Sequence, residues 1–165
     1  MKRQDKDHYY LEIAATVAKR STCLRRHFGA IIVKADQIIS TGYVGAPRGS
    51  INCIDLNDCP REKAGIPSGE RYELCRSVHA EMNAIIHAAR TDMLGSTLYL
   101  ACLSPKTGER VTGVRPCKMC TRMIINAGIE WVVTDAPDGG VCRYAVQDWV
   151  KADRGEWSKE NISGY

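Results

Sequence analysis

His79-Ala80-Glu81 and, further along, Pro116-Cys117-Lys118-Met119-Cys120 are two short pieces of chain that complement one another chemically. One imidazole and two thiolates leave the fourth corner of a tetrahedral zinc ion open to water. A carboxylate two residues from the histidine can then move protons beside that water. Helix geometry accounts for the spacing. Cys117 and Cys120, three residues apart, share a face at the start of a helix, and Pro116 suits that start because its missing N–H costs little there. His79 and Glu81 fall in the opening turn of another helix. Both helix N-termini aim their positive ends at the site, which favours thiolates and a polarised water. The composition is that of a hydrolytic site.

Working outward from these two helices, the chain reads as an α/β alternation. Asp5 or Asp7 caps a first helix through about Arg20, burying Leu11, Ala14, Ala15 and Ala18 on one face. The β-rich runs Gly29 to Lys34 and Gln37 to Gly42, joined by Ala35-Asp36, form a hairpin. Residues 45–76 hold Pro, Gly, Asn and three cysteines without clean periodicity and read as a long irregular loop. A helix follows from Val78 to about Arg90, then a strand over Ser96 to Cys102. Next come the Cys117 to Ala127 helix ended by Gly128 and a strand over Ile129 to Thr134. Val141 to Lys151 reads as a final helix and 155–165 as a frayed tail. The whole is a single domain over 1–165 with its core at about 7–151.

Composition narrows the class. The chain has 165 residues, 44% of them hydrophobic, with no apolar run of membrane-span length. Its amino terminus is charged and no signal-type apolar stretch follows. A net charge of +4 favours an anionic ligand but falls short of a nucleic-acid-binding composition. Eight cysteines in a secreted chain would mean disulfides. The missing secretion signal and the Cys-x-x-Cys spacing favour thiolates on metal in a reducing, cytoplasmic compartment.

His-x-Glu alone occurs by chance, and Cys-x-x-Cys alone serves other zinc and redox sites. Together, each opening a helix with a strand between, they match the pattern of zinc-dependent nucleobase deaminases. At this point the chain resembles the deoxycytidylate (dCMP) deaminases of the cytidine deaminase superfamily, from Tyr9 to about Thr134. The resemblance rests on Arg20-Ser21-Thr22-Cys23-Leu24-Arg25-Arg26, Val33-Lys34, Ile39-Ser40-Thr41-Gly42-Tyr43 and Gly45-Ala46-Pro47. It continues through Cys75-Arg76, His79-Ala80-Glu81-Met82-Asn83-Ala84-Ile85 and Ile124-Ile125-Asn126-Ala127-Gly128-Ile129. It implies a three-layer α/β/α domain around a mixed five-stranded sheet, and a homo-oligomer, often a hexamer. It also implies a catalytic zinc on His79, Cys117 and Cys120, with Glu81 as proton shuttle, and hydrolysis of dCMP to dUMP and ammonia at a cyclic amidine.

The other cysteines offer a second metal site. Cys23, Cys53, Cys59 and Cys75 surround the irregular loop, and four thiolates make a closed structural zinc site. The alternative is four separate buried thiols. Some members of the family resembled carry a second, structural zinc with ligands matching Cys23 and Cys53. Cys102 and Cys142 read as plain core or surface thiols, and His27 and His87 as structural. A nucleotide phosphate calls for cations. Arg25, Arg26, Arg48 and Arg115 lie in segments that approach the site, with Arg26 first because it directly precedes the first strand.

Two departures from the family bear on the substrate. Val44 stands in Gly42-Tyr43-Val44-Gly45, where the family usually has an asparagine associated with sugar contact. The surrounding loop is associated with dCTP and dTTP effector binding in regulated members. The stretch Ser104 to Gly113 is an extension, an extra polar turn or hairpin beside the pocket. Another free nucleotide or a modified base therefore stays open as substrate. A base within RNA or single-stranded DNA would want a basic, aromatic-lined groove, against which stand one phenylalanine and three tryptophans. A catalytically silent zinc-binding regulatory module is a third reading, and the intact Glu81 argues against it.

Overall fold

Asp5 caps the first helix, α1 (Lys6–Ala18), its carboxylate accepting from the His8 backbone N–H at 3.1 Å. The structure, a computed structural model, describes residues 3–153, so the tail expected at 155–165 lies outside the described residues. After α1 come strands β1 (His27–Lys34) and β2 (Gln37–Tyr43). They are joined by Ala35 and Asp36, both at positive φ (48° and 66°), the twist-matched two-residue hairpin turn. Two short helices follow, α2 (Cys53–Leu56) and α3 (Pro60–Lys63), then a 3-10 turn at Tyr72–Leu74 and α4 (Ala80–Ile86). The chain closes with α5 (Arg90–Met93), β3 (Thr97–Leu103), α6 (Lys118–Ala127), β4 (Trp131–Asp135), β5 (Val141–Ala145) and α7 (Val146–Ala152).

The five strands form one mixed sheet in the order β2-β1-β3-β4-β5. β1 lies antiparallel to both β2 and β3, β4 runs parallel to β3, and β5 is antiparallel to β4. The parallel pair needs a crossover, and α6 supplies it. Gly29 to Val33 are buried without interruption because helices cover both faces. On one face Ala30, Ile32, Leu98, Leu100 and Val132 pack with Ala80 and Ala84 of α4, Ile124 of α6 and Val146 of α7. On the other, Ile31, Val33, Ala101 and Val133 meet Leu11, Ala14 and Ala18 of α1. No helix among the described residues is long and apolar enough to cross a membrane.

Two glycines let helices sit directly on the sheet. A Cβ at Gly29 would stand 2.2 Å from the Ala14 carbonyl oxygen, and one at Gly42 would stand 2.3 Å from both the Ala80 oxygen and the Ala84 nitrogen. The second contact sets the height of α4, and the Ser40 hydroxyl donating to the Ala84 carbonyl at 2.8 Å fixes its rotation. Gly42→Ala is therefore expected to push α4 off the sheet and cost about 1–3 kcal/mol of stability or more, read as a lower urea midpoint. Because His79 is the N-cap residue of α4, activity should fall further than stability alone explains.

Four local expectations are corrected. Val141–Ala145 is a strand, and the final helix is only Val146–Ala152. The overlooked signal is the Pro137-Asp138-Gly139-Gly140 turn, closed by Ala136 N–H donating to the Gly140 carbonyl at 3.0 Å, which folds β5 back on β4. Within 45–76 the chain is not wholly irregular. Asp55 accepts from the Asn52 backbone N–H at the start of α2, and Pro60 opens α3. The helix expected through Arg90 stops at Ile86, and Ala89 is extended (ψ 142°) before α5. Pro116 lies one residue outside α6, whose N-cap is Cys117.

Candidate functional site

His79 and Cys117 occupy equivalent places, each the extended N-cap residue of a helix resting on the same face of the sheet. That placement follows from the β3–α6–β4 crossover beside α4. The Cys117 sulfur accepts the Cys120 backbone N–H at 3.5 Å, so the thiol is both helix cap and site residue. Cys120 follows one turn later and is fully buried. The His79 imidazole does not cap α4. Its Nδ1 lies 3.5 Å from the Cys117 sulfur and 3.4 Å from that of Cys120. A tetrahedral zinc with its usual bonds to sulfur and nitrogen sets S···N separations of about 3.6 Å, so the donor set fits this metal. Among the described residues, this is the one group of three or more His, Cys, Asp or Glu side chains gathered closely enough to hold a metal ion.

Electrostatics agree with thiolate ligation. The hydrogen bond from the Cys120 thiol, followed by that from His79, pulls the Cys117 pKa well below the usual thiol range despite burial. His79 is pushed down by burial, but the Cys117 sulfur and the Glu81 charge outweigh this and raise its pKa. Glu81, in the first turn of α4, is only 4% exposed, and burial raises its pKa against the opposing pull of His79. A carboxyl group whose pKa is raised by burial beside a metal-ligand set is suited to taking up and returning protons.

The site opens into a cavity of about 530 Å3, within the ~300–1,000 Å3 of small-molecule sites. Its lining is unbalanced in charge. Arg25, Arg26, Arg61, Arg76, Arg115 and Lys118 line it, against a single carboxylate, Glu81. Of the arginines singled out from sequence, Arg25, Arg26 and Arg115 reach the cavity. Arg25 donates to the Ile66 carbonyl at 3.2 Å, and Arg115 stacks over Tyr144 at 4.8 Å. Arg48 is not among the lining residues and instead meets His87 Nε2 at 2.9 Å, while His87 Nδ1 faces the Thr41 carbonyl.

Sequence reasoning missed Arg61, Tyr72, Arg76 and Lys118 as cavity residues. The available signals were the Cys59-Pro60-Arg61 helix start and the position of Arg76 and Lys118 beside the two motifs. Val44 is buried and lines the cavity.

The extension after β3 is a short hairpin folded back on the strand. Leu103 bridges Arg110, and Val111 N–H donates to the Cys102 carbonyl at 2.8 Å. Arg110 grips Asp135 through Nε at 2.9 Å and Nη2 at 2.6 Å, fixing the hairpin to the end of β4. Val111 and Val114 thereby form an apolar wall of the cavity.

Cys23, Cys53, Cys59 and Cys75 also line this cavity. Burial raises the Cys23 and Cys53 thiol pKa values, and the neighbouring sulfurs of the set raise them further. The four sulfurs are near enough to sense one another but are not drawn together as the His79 group is. Cys102 is buried in β3, where burial pushes its thiol up to about 12.

Comparison with known proteins agrees with this geometry. The family described as "Cytidine and deoxycytidylate deaminase zinc-binding region" matches residues 4–136. The deoxycytidylate deaminase of Mycobacterium phage D29 is 40% identical over 138 residues, covering 81% of this chain and 96% of that protein. The deoxycytidylate deaminase of Schizosaccharomyces pombe is 35% identical over 127 residues, covering 77% of this chain but only 36% of that longer protein. Among solved structures, the dCMP deaminase from cyanophage S-TIM5 in complex with dCMP and dUMP superposes with a TM-score of 0.56. It is 26% identical, with 80% of this chain and 82% of that one covered. With the donor set, the buried carboxylate and the fold in agreement, the chain belongs to the cytidine and deoxycytidylate deaminase zinc-binding family.

Proposed function

We propose that this protein hydrolyses dCMP to dUMP and ammonia. One observation carries the reading. His79 Nδ1 faces the sulfurs of Cys117 and Cys120 with Glu81 buried beside them, at the floor of a cavity whose other charges are cationic. The phage D29 relative named deoxycytidylate deaminase and the cyanophage structure in complex with dCMP and dUMP support the choice of nucleotide.

His79, Cys117 and Cys120 would hold the zinc, which when bound would lower the pKa of a water toward about 7. Glu81 takes a proton from a water and places it on N3 of cytosine, which draws electrons from C4, and the hydroxide so formed adds to C4. The same carboxylate takes the proton of the new C4 hydroxyl and passes it to the exocyclic amine, so that C4 becomes a carbonyl as the C4–N bond breaks and ammonia leaves. Burial, which raises the Glu81 pKa, suits it to this traffic by making the carboxylate a better proton acceptor. The cationic lining holds the phosphate, and the Val111–Val114 wall excludes water from the base. The test is product analysis by chromatography. dCMP should give dUMP, whereas turnover confined to another nucleotide or a modified base would assign the apolar wall to a different substrate.

A second, structural zinc on Cys23, Cys53, Cys59 and Cys75 belongs to the same reading, its ion drawing the four sulfurs inward to close the 45–76 segment. Native mass spectrometry should then find two zinc ions per chain, and one in Cys53→Ser. A single ion in both would remove this site. The family's habit adds a homo-oligomer, often hexameric, and regulation by dCTP and dTTP. Sedimentation and the effect of dTTP on dCMP turnover are the checks.

A further inference from the structure

We propose that Arg61 is the cationic anchor for the 5′-phosphate of the substrate, an assignment that rests on the nucleotide deaminase reading above. Arg61 is the buried member of the cavity's cations, 5% exposed, whereas Arg26, Arg76, Arg115 and Lys118 are exposed. Its Nη2 donates to the backbone carbonyls of Pro67 at 2.8 Å and Glu70 at 2.5 Å, which lock the side chain in place. Its Nε is buried without a hydrogen-bond partner among the described residues. Of the nearby carboxylates, Glu62 lies 3.8 Å from Arg25, and Glu73 pairs with Arg71 and feels Arg61 only at a distance.

A buried guanidinium with two neutral acceptors and no direct ion pair among the described residues is costly to keep. An anion that completes it recovers that cost, and a guanidinium is the side chain best matched to phosphate oxygens. The position suits a nucleotide. The guanidinium carbon lies 4.5 Å from the Tyr72 ring centre, and the Tyr72 ring meets the His79 ring edge-on at 4.7 Å. The Tyr72 ring therefore touches both the cation and a metal-ligand residue, which places the two in the same part of the cavity. The fixed backbone bonds mean that little ordering remains to be done on binding.

The test is steady-state dCMP deamination with inorganic phosphate as competitor, using wild type, Arg61→Gln and Arg61→Lys, each checked by thermal unfolding. Arg61→Gln should raise KM for dCMP about tenfold or more, as expected for one lost charge-assisted contact, with the loss falling on KM rather than kcat. The inhibition constant for phosphate should rise in step, and Arg61→Lys should show a smaller shift of both. If Arg61→Gln does not fold, the Arg61→Lys shifts decide. Unchanged KM and phosphate inhibition, a fall in kcat alone, or no competition by phosphate in wild type would overturn the assignment. Absence of turnover by the zinc-loaded wild type with any nucleotide would instead defeat the deaminase reading. Calorimetric titration of inorganic phosphate into wild type and Arg61→Lys would then still decide whether Arg61 binds the anion.

Discussion

Glu81→Gln is expected to lower ammonia release from dCMP by ~10²–10⁴-fold, the range for removal of a general acid–base group, while zinc content stays at the wild-type level. Glutamine keeps the shape of the side chain and can neither accept nor return the proton. The carboxyl group is buried, with His79 opposing the upward shift that burial imposes. Replacing a buried ionisable group by a neutral one of the same volume removes a desolvation cost, so thermal stability should hold or rise slightly. That pairing of lost turnover with kept metal and kept fold separates a proton shuttle from a structural residue. Near-normal kcat, or loss of zinc together with activity, would contradict the role given to Glu81.

Cys117→Ala is expected to act on the fold as well as on the reaction. The sulfur faces His79 Nδ1 and also accepts the backbone N–H that starts α6. Loss of the cap alone costs about 0.5–2 kcal/mol. Loss of the ion adds to this, because zinc at ~1,000 times its dissociation constant stabilises the folded state by ~4 kcal/mol. The variant should therefore lack the catalytic zinc, show no turnover and unfold at a lower urea concentration than wild type. Once a chelator has stripped all zinc from both, wild type and variant should differ only by the capping contribution. If chelation leaves wild-type stability unchanged, the metal contributes nothing to folding.

The chemistry of the centre was legible because its residues are local. His79 and Glu81 share one turn, and Cys117 and Cys120 share a helix face; the combined His-x-Glu and Pro-Cys-x-x-Cys pattern joins the two pairs before the sheet is known. The hairpin was legible for the same reason, two β-rich runs around a two-residue turn. β5 was not, because Val141–Ala145 is short and half-buried and lies against a turn whose Asp138-Gly139 signal was passed over. Its periodicity over five residues cannot separate a strand from a helix start. Arg61 was hidden for another reason. An arginine next to Pro60 in a polar segment reads as solvated surface, and only the fold of 59–72 brings the Pro67 and Glu70 carbonyls and the Tyr72 ring around it. Arg48 shows the converse, a cation beside the right loop that the structure turns toward His87.

The central claim is hydrolysis at C4 of cytosine, and the most direct measurement is turnover of dCMP by zinc-loaded protein in oxygen-18-labelled water. The account predicts dUMP carrying one solvent oxygen at C4, formed in equal amount with ammonia, and neither product from Glu81→Gln above the trace rate. Zinc-loaded, folded protein that releases no ammonia from dCMP would contradict it.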